Sequence, residues 1–208
     1  SLSESDQKSY NTISERLGEL STKFSNNVLD ATNKWHLILD NKSQIKGLPD
    51  RVLELMALSA QKHLKKEGEV DAQSGPWKLS LDIPTYTAFM SYAEDSFLRE
   101  KLYKAFVSRA SDGDENNSQI IEEILTLRTK QAKLLGYNSW ADLSLSTKMA
   151  GKINSVEKLL EELREPSFKA AELELENLNN FVHKNGFNVN NQLKPWDISY
   201  WSELLRKE

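Results

Sequence analysis

The sequence contains no cysteine, and it has only 8 glycines and 5 prolines among 208 residues. The lack of cysteine excludes disulfide scaffolds, cysteine-ligated zinc, iron–sulfur clusters and thiol catalysis. The low glycine and proline content excludes collagen and flexible linker proteins. No apolar run approaches the ~20 residues of a membrane span, and no secretory-signal pattern opens the chain. We therefore expect no membrane partner and a cytoplasmic location, since missing cysteine is compatible with a reducing compartment.

The charge is nearly balanced, with 27 basic and 31 acidic residues and a net charge of −4. No basic tract is present, which argues against nucleic acid as a partner. Hydrophobic residues make up 38% of the chain, which is low but enough to bury a core. The chain begins at Ser1 without an initiator Met and stops inside a helical pattern at Glu208. We expect both ends to be cut and part of the core to lie elsewhere.

Most of the chain has helical periodicity. The first stripe has steps of three and four residues, typical of one long amphipathic helix face, and comprises Tyr10, Ile13, Leu17, Leu20, Phe24, Val28, Ala31 and Trp35. Pro49 and Asp50 are predicted to open a second helix, and Pro84 a short third one ending near Tyr92. Asp95 or Ser96 should cap a fourth helix that continues to Phe106.

The second half of the chain is also predicted to be helical. A helix capped by Ser118 or its Asn neighbours should end at Gly136 and turn an apolar face inward, comprising Ile121, Ile124, Leu125, Ala132 and Leu135. Asn154 should cap the next helix, which Pro166 should break or kink. The apolar pattern resumes at Phe168 and stops at Gly186, and a last helix starts near Asp197.

One segment alternates like a strand. Trp77, Leu79 and Leu81 should be buried on one face, with Lys78 and Ser80 outward. The predicted partner is a hairpin strand at 68–73 or a segment outside this chain. The predicted fold class is mainly α, an elongated multi-helix array with one short β-strand or hairpin near 77–81. We expect one helical region over 1–208, with a possible sub-boundary at the 67–76 loop.

The residues that could carry chemistry are dispersed. His36, His63 and His183 fall on three separate helices or helix ends, and none has a second His three or four residues away. The paired acids, including Glu172, Glu174 and Glu176, are best explained as solvated charge on polar helix faces. No glycine-rich phosphate loop, no G-x-S-x-G and no recognisable Ser/His/Asp set occurs. We predict no catalytic and no metal-binding residue, and substrate-binding residues remain unknown.

One loop resembles a calcium-binding pattern. Asp112, Asp114, Asn116 and Glu123 occupy positions 1, 3, 5 and 12 of an EF-hand loop. Asn117 replaces the usual glycine, Gln119 replaces an apolar residue, and the chain has no second hand. A capped turn between two helices needs the same Asp, Asn and Ser residues. A Ca²⁺ site therefore stays as an alternative.

Several segments together resemble a known family. They are residues 17–30 and 47–49, the stretch Gly75-Pro76-Trp77 to Tyr86, residues 98–111, Leu134-Leu135-Gly136-Tyr137, residues 144–150, and Trp196-Asp197 with Tyr200-Trp201. Their order resembles the thimet oligopeptidase family of zinc metallopeptidases, and within it the bacterial oligopeptidase A branch. The resemblance covers nearly the whole chain and rests on the ordered set.

The resemblance implies a large helical peptidase with two lobes around a deep channel, in which a zinc-bound water cleaves short peptides. The family's H-E-x-x-H helix lies downstream of the segment matching Trp196-Asp197, so no catalytic residue is carried over to this chain. No cofactor is expected here, and zinc is expected in the full-length protein. The chain would be a middle section of the non-catalytic lobe, inactive alone, walling the substrate channel.

Two hypotheses follow. The first is a fragment of a zinc-dependent oligopeptidase, which meets short peptides through the full-length protein. The second is a self-sufficient helical interaction or Ca²⁺-binding module. In the first case Trp196, Ile198, Trp201 or Leu205 should be more exposed than core residues such as Ile124, and the chain should self-associate through its terminal helices.

Overall fold

The computed structural model describes residues 2–65, 71–186 and 192–208. These residues form eight α-helices and two β-strands, so the predicted mainly α fold is confirmed. In chain order the elements are α1 Glu4–Lys34, β1 His36–Leu39, α2 Asp50–Leu64, β2 Trp77–Ser80, α3 Ile83–Tyr92, α4 Ser96–Val107, α5 Ser118–Leu134, α6 Trp140–Leu145, α7 Ile153–Lys184 and α8 Pro195–Lys207. Short 3₁₀ turns lie at Lys42–Ile45 and Gly113–Glu115. None of the described helices is long and apolar enough to cross a membrane.

The chain divides into two compact units, each built from two stretches of sequence. The first unit comprises Ser1–Val28 and Ala110–Leu173. The second comprises Leu29–Arg109 and Glu174–Glu208. Helices α1 and α7 contribute to both units.

The second unit contains an antiparallel pair formed by β1 and β2. Leu39 lies opposite Trp77, and Leu37 lies opposite Leu79. Trp77 and Leu79 are fully buried, whereas Lys78 and Ser80 are only half-buried, so the predicted register of the strand is confirmed.

The predicted partner of this strand is wrong. Residues 68–70 of the expected hairpin lie outside the described residues, and 71–73 form a turn. The observed partner is His36–Leu39. Sequence reasoning missed this strand because it is four residues long and directly follows the helical stripe, whose last apolar residue, Trp35, lies just beyond α1.

Helices α2, α3 and α4 supply the rest of this core. Met56, Phe89 and Leu102 are fully buried in one cluster with Trp77 and Leu79. Complete burial of each such side chain stabilises the fold by roughly 1.5–3 kcal/mol. The core of the second unit therefore joins the strand pair to three helices.

Local capping explains where two of these helices begin. The Asp95 carboxylate accepts a hydrogen bond from the Leu98 amide at 3.0 Å, so of the two predicted caps of α4 the structure selects Asp95. The Asp82 carboxylate caps α3 by accepting from the Thr85 amide at 3.1 Å. Both bonds satisfy an amide that has no partner within the helix.

The first unit is built on α1 and α5. Gln131 donates a hydrogen bond to the Ser14 hydroxyl at 2.9 Å, and Leu20, Ile120 and Ala132 are buried. The predicted inward face of α5 is wrong at Ile121 and Leu125, which are 45% and 57% exposed. Periodicity identifies an apolar face but not whether the face is covered, and here both side chains line an open groove.

Helix α7 differs from the prediction in two ways. It runs without a break through Pro166, and it begins at Ile153, so Asn154 does not cap it. Proline removes one amide donor and crowds one preceding carbonyl, a local cost that strong helix formers on both sides offset. All residues from 157 to 177 are exposed, and Leu178 and Val182 are then buried against Trp201 and Leu204.

Candidate functional site

The strongest polar constellation in the second unit is centred on Arg99 of α4. Its side chain and that of Asp197 are almost completely buried, and Arg99 Nη2 donates to Asp197 Oδ1 at 2.6 Å. Arg99 Nε donates to the Trp196 carbonyl at 3.1 Å, and Nη1 donates to the carbonyls of Ala93 and Glu94. The guanidinium therefore joins the end of α3, α4 and the start of α8.

Two further groups complete this constellation. The Ser96 hydroxyl donates to Asp197 Oδ1 at 2.8 Å, and the Tyr200 ring lies 4.3 Å from the Arg99 guanidinium carbon. Burial is the main cause that raises the pKa of Tyr200, and the nearby Glu94 carboxylate adds to it. Every charge in this cluster has a partner, so its chemistry is that of a structural link between helices.

The acidic loop does not gather its carboxylates around a cation site. Glu123, the twelfth position of the calcium pattern, is bound by Arg16, with Nε–Oε1 at 2.7 Å and Nη2–Oε2 at 3.0 Å. The hydrogen bonds from Arg16 are the main cause that lowers the pKa of Glu123. Asn116 accepts from the Ser118 amide at 2.8 Å, as a capped turn requires. These contacts favour the capped turn over a Ca²⁺ site.

Asn117 is one of the residues predicted to cap α5, but the structure gives its side chain a different role. It precedes α5, but its side chain makes no capping bond. The amide is buried, donates to the Phe24 carbonyl at 3.1 Å and accepts from Asn27 at 2.9 Å. Asn117 therefore ties the start of α5 to α1 within the first unit.

The structure brings two of the three histidines together. His36 lies on β1 and not on a helix end, and its ring centre is 4.1 Å from that of His63 in the last turn of α2. Loss of hydration in this contact, followed by repulsion from His36 and Lys78, lowers the pKa of His63. His183 lies separately on α7, and its Nδ1 is buried without a hydrogen-bond partner among the described atoms.

Metal-binding side chains do not converge in the described part of the chain. Within residues 2–65, 71–186 and 192–208, no three His, Asp or Glu side chains form a group that could hold a metal ion. Catalytic zinc takes three protein ligands. The His36–His63 pair supplies two imidazoles without a third donor, so these residues do not fit a catalytic zinc.

Two open grooves lie along α1 and α5 in the first unit. The apolar groove encloses about 510 Å³ and is lined mainly by Leu17, Phe24, Ile121, Ile124, Leu125 and Trp140. The basic groove encloses about 920 Å³, and its lining includes Lys8, Ile13, Leu127, Lys130, Lys133 and Leu134. The sequence analysis placed Ile121, Ile124 and Leu125 on an inward face of α5, and it gave no role to Leu127 or Trp140.

Sequence reasoning also assigned no role to Arg99 or Asp197. A usable signal was present, because Arg99 lies one residue from Leu98 and three from Leu102 on the apolar face of α4. A charged residue at such a position is buried only when it is paired. Its partner lies far away in the sequence, so the periodicity of α4 could not identify it.

The sequence of this chain is similar to the sequences of known peptidases. The sequence model of peptidase family M3 matches residues 89–208. The probable cytosolic oligopeptidase A of Arabidopsis thaliana is 42% identical over 99% of this chain and 29% of the relative. The organellar oligopeptidase A of the same plant is 41% identical over 99% of this chain and 26% of the relative. Oligopeptidase A of Escherichia coli is 39% identical over 99% of this chain and 29% of the relative.

These matches confirm the resemblance predicted from the sequence. They extend over nearly the whole chain, whereas the chain spans less than a third of the length of these curated relatives. The family model covers more than half of the chain, including α4, Arg99 and Asp197. The chain belongs to peptidase family M3.

Proposed function

We propose that this chain is a non-catalytic section of a zinc-dependent oligopeptidase that cleaves short peptides. The observation that carries the proposal is the alignment of 99% of the chain with 29% of oligopeptidase A relatives. In this proposal residues 1–208 are one helical region of the non-catalytic lobe, with a sub-boundary within 67–76, of which residues 67–70 lie outside the described residues. In this proposal the protein acts in the cytoplasm, which is the compartment given in the name of one relative.

The proposal assigns zinc to the part of the full-length protein outside this chain. Zinc would supply the activated water for peptide hydrolysis. The described histidines offer one pair and one separate ring, which is not the three-ligand set of a catalytic site. No step of the reaction is therefore assigned to a residue of this chain.

The proposed role of the chain is to form part of the wall of the substrate channel. A wall of packed helices would admit short, unfolded peptides and exclude folded proteins. Support comes from the paired helices of the first unit, which present open grooves to the surroundings, and from the substrate class in the relatives' names.

The test compares the full-length protein from the natural reading frame with the 208-residue chain. After dialysis, the full-length protein should hold one zinc and cleave a short peptide but not the same sequence inside a folded protein. The chain alone should hold no stoichiometric zinc and should cleave neither substrate. A tightly held zinc or peptide cleavage by the chain alone would show that the proposal is wrong.

The wall role needs its own measurement. A short photoreactive peptide bound to the full-length protein should crosslink to residues within 1–208, and an excess of unlabelled peptide should prevent it. If the full-length protein cleaves peptides but no crosslink falls in this region, the wall role is wrong while the peptidase assignment stands.

A further inference from the structure

The contact between His36 and His63 brings together two side chains of a type that binds transition-metal ions. The ring centres lie 4.1 Å apart, and the ring planes are inclined at 62°. His36 lies on β1 and His63 in the last turn of α2, so both rings belong to the second unit. Two metal–nitrogen bonds of about 2.0–2.1 Å that meet at a right angle place their nitrogens about 3 Å apart. Rotation of the two side chains can therefore aim one nitrogen of each ring at a common ion.

The hydrogen bond of His36 determines which of its ring nitrogens can bind a metal ion. Its Nδ1 lies 3.2 Å from the carbonyl oxygen of Lys34. A carbonyl only accepts hydrogen bonds, so Nδ1 carries the hydrogen and the lone pair of the neutral ring is on Nε2. Histidines that bind metals usually donate their other N–H group to a carbonyl or a carboxylate, which fixes the tautomer and orients the ring. The Lys34 carbonyl gives His36 this support.

His63 has the protonation state that a metal ligand needs. Loss of hydration, followed by repulsion from His36 and Lys78, lowers the pKa of His63 below its ordinary value of 6.5. The ring is therefore neutral at pH 7 and keeps a lone pair, and only the deprotonated imidazole binds a metal ion. The ammonium group of Lys78 also repels a bound cation, so its removal should favour metal binding.

From this geometry we propose that His36 and His63 form a two-imidazole site for a divalent transition-metal ion, with Cu²⁺ held more tightly than Ni²⁺ or Zn²⁺. Imidazole suits all three ions, and affinity in such sites is greatest for Cu²⁺. Within the described residues no group of three His, Asp or Glu side chains includes this pair, so water completes the coordination. With two protein ligands the site exchanges its ion and is emptied by dialysis against a chelator, unlike a catalytic zinc with three protein ligands.

This inference does not depend on the proposed peptidase function. It departs from the expectation, drawn from the sequence, that the chain has no metal-binding residue. The sequence analysis placed the two histidines on separate helices or helix ends, and their contact depends on the strand His36–Leu39 that it missed. The bound ion joins the start of β1 to the end of α2.

The test is titration of the metal-free chain with Cu²⁺ alone, with circular dichroism to check the folding of every variant. The unchanged chain should bind one Cu²⁺ more tightly than any other, and its electron paramagnetic resonance spectrum should show coupling to two imidazole nitrogens. His36→Asn and His63→Asn should each weaken binding at least ~10-fold, which corresponds to about 1.4 kcal/mol. The matched control His183→Asn removes an imidazole elsewhere in the second unit and should bind Cu²⁺ like the unchanged chain.

Lys78→Ala provides a readout with the opposite sign. Removal of the ammonium group should tighten Cu²⁺ binding about two- to five-fold, which is the scale of one exposed charge interaction. Added salt should reduce the difference between this variant and the unchanged chain, because it screens the repulsion. A variant that binds Cu²⁺ more weakly than the unchanged chain would contradict the placement of the ion beside His63.

The same titration of the full-length protein examines the site in its complete surroundings. The unchanged full-length protein should bind one more exchangeable Cu²⁺ than its His63→Asn variant does. Equal binding by these two proteins would overturn the proposal, and so would a spectrum of the unchanged chain without coupling to two imidazole nitrogens. Loss of the ion in His183→Asn, or its full retention in folded His36→Asn, would also overturn it. None of these measurements uses peptide cleavage, so their failure leaves the peptidase assignment intact.

Discussion

The Nη2 atom of Arg99 lies 2.6 Å from Oδ1 of Asp197, and both side chains are excluded from solvent. Three further N–H groups of Arg99 donate to backbone carbonyls, and these bonds offset much of the cost of removing the guanidinium from water. The pair joins residues that are 98 positions apart and holds α8 against α4. Its integrity should therefore control the stability of the second unit.

Replacing Arg99 with Met should lower the free energy of unfolding by ~3–5 kcal/mol, because Asp197 would remain buried without its cation. Chemical denaturation of the chain measures this change. The matched control is Arg16→Met, which removes the exposed pair with Glu123 and should have a much smaller effect, because solvent screens exposed ion pairs. Equal effects of the two substitutions would contradict the assignment of Arg99 as the main link.

The strand register makes a second prediction. Leu79→Ala should destabilise the chain by ~2–5 kcal/mol, because it leaves a cavity beside Trp77 and Leu37. Lys78→Ala on the neighbouring position should change stability by no more than ~0.5 kcal/mol. Thermal or denaturant unfolding distinguishes the two, and a larger effect at Lys78 would show that the faces of β2 are exchanged.

The His36–His63 contact predicts a pH dependence. The pKa of His63 is lowered below its ordinary value of 6.5, so the unfolded chain takes up a proton more readily than the folded chain does. The free energy of unfolding should therefore be greatest above the ordinary pKa of 6.5, and it should decrease as the pH falls below 6.5. Equilibrium unfolding between pH 8 and pH 5 should show this slope.

A variant separates this effect from other titrations. His63→Asn removes the ionisable ring and should flatten the slope in this range. The carboxylates with lowered pKa values, such as Glu203 with a pKa of about 2, titrate at lower pH. An unchanged slope in the variant would assign the pH dependence to other groups.

Helix α7 provides a fourth prediction. Pro166→Ala restores an amide donor and removes the crowding of the preceding turn, which together cost ~3 kcal/mol in a helix interior. Hydrogen exchange of amides in residues 157–177 should therefore slow. The control Ser167→Ala keeps the proline and should have a much smaller effect. Faster exchange in Pro166→Ala would show that proline favours the observed helix.

Local pattern predicted much of the fold. Proline at the start of α2, the cap of α4 and the alternation around Leu79 each depend on neighbouring residues, so the sequence contains the full signal. The strand His36–Leu39 depends on a partner 38 or more positions away, and its four residues show no pattern of their own. Helix α7 continues through Pro166 because strong helix formers on both sides offset the local cost of proline. The rule that proline ends a helix does not include that offset.

The candidate sites were less predictable for the same reason. Burial of Arg99 requires Asp197, and the contact between His36 and His63 requires the strand pair that the sequence analysis missed. Ile121 and Leu125 were correctly identified as apolar but wrongly placed in a closed core. In each case the missing information is which distant surface meets the residue.

The division of the second unit into Leu29–Arg109 and Glu174–Glu208 has a consequence during synthesis. Arg99 leaves the ribosome 98 residues before Asp197, and at ~5–20 residues per second this interval lasts on the order of 5–20 s. Throughout that time its guanidinium has no carboxylate to meet and must stay hydrated. The second unit can therefore reach its final packing only after the intervening first-unit sequence has been translated.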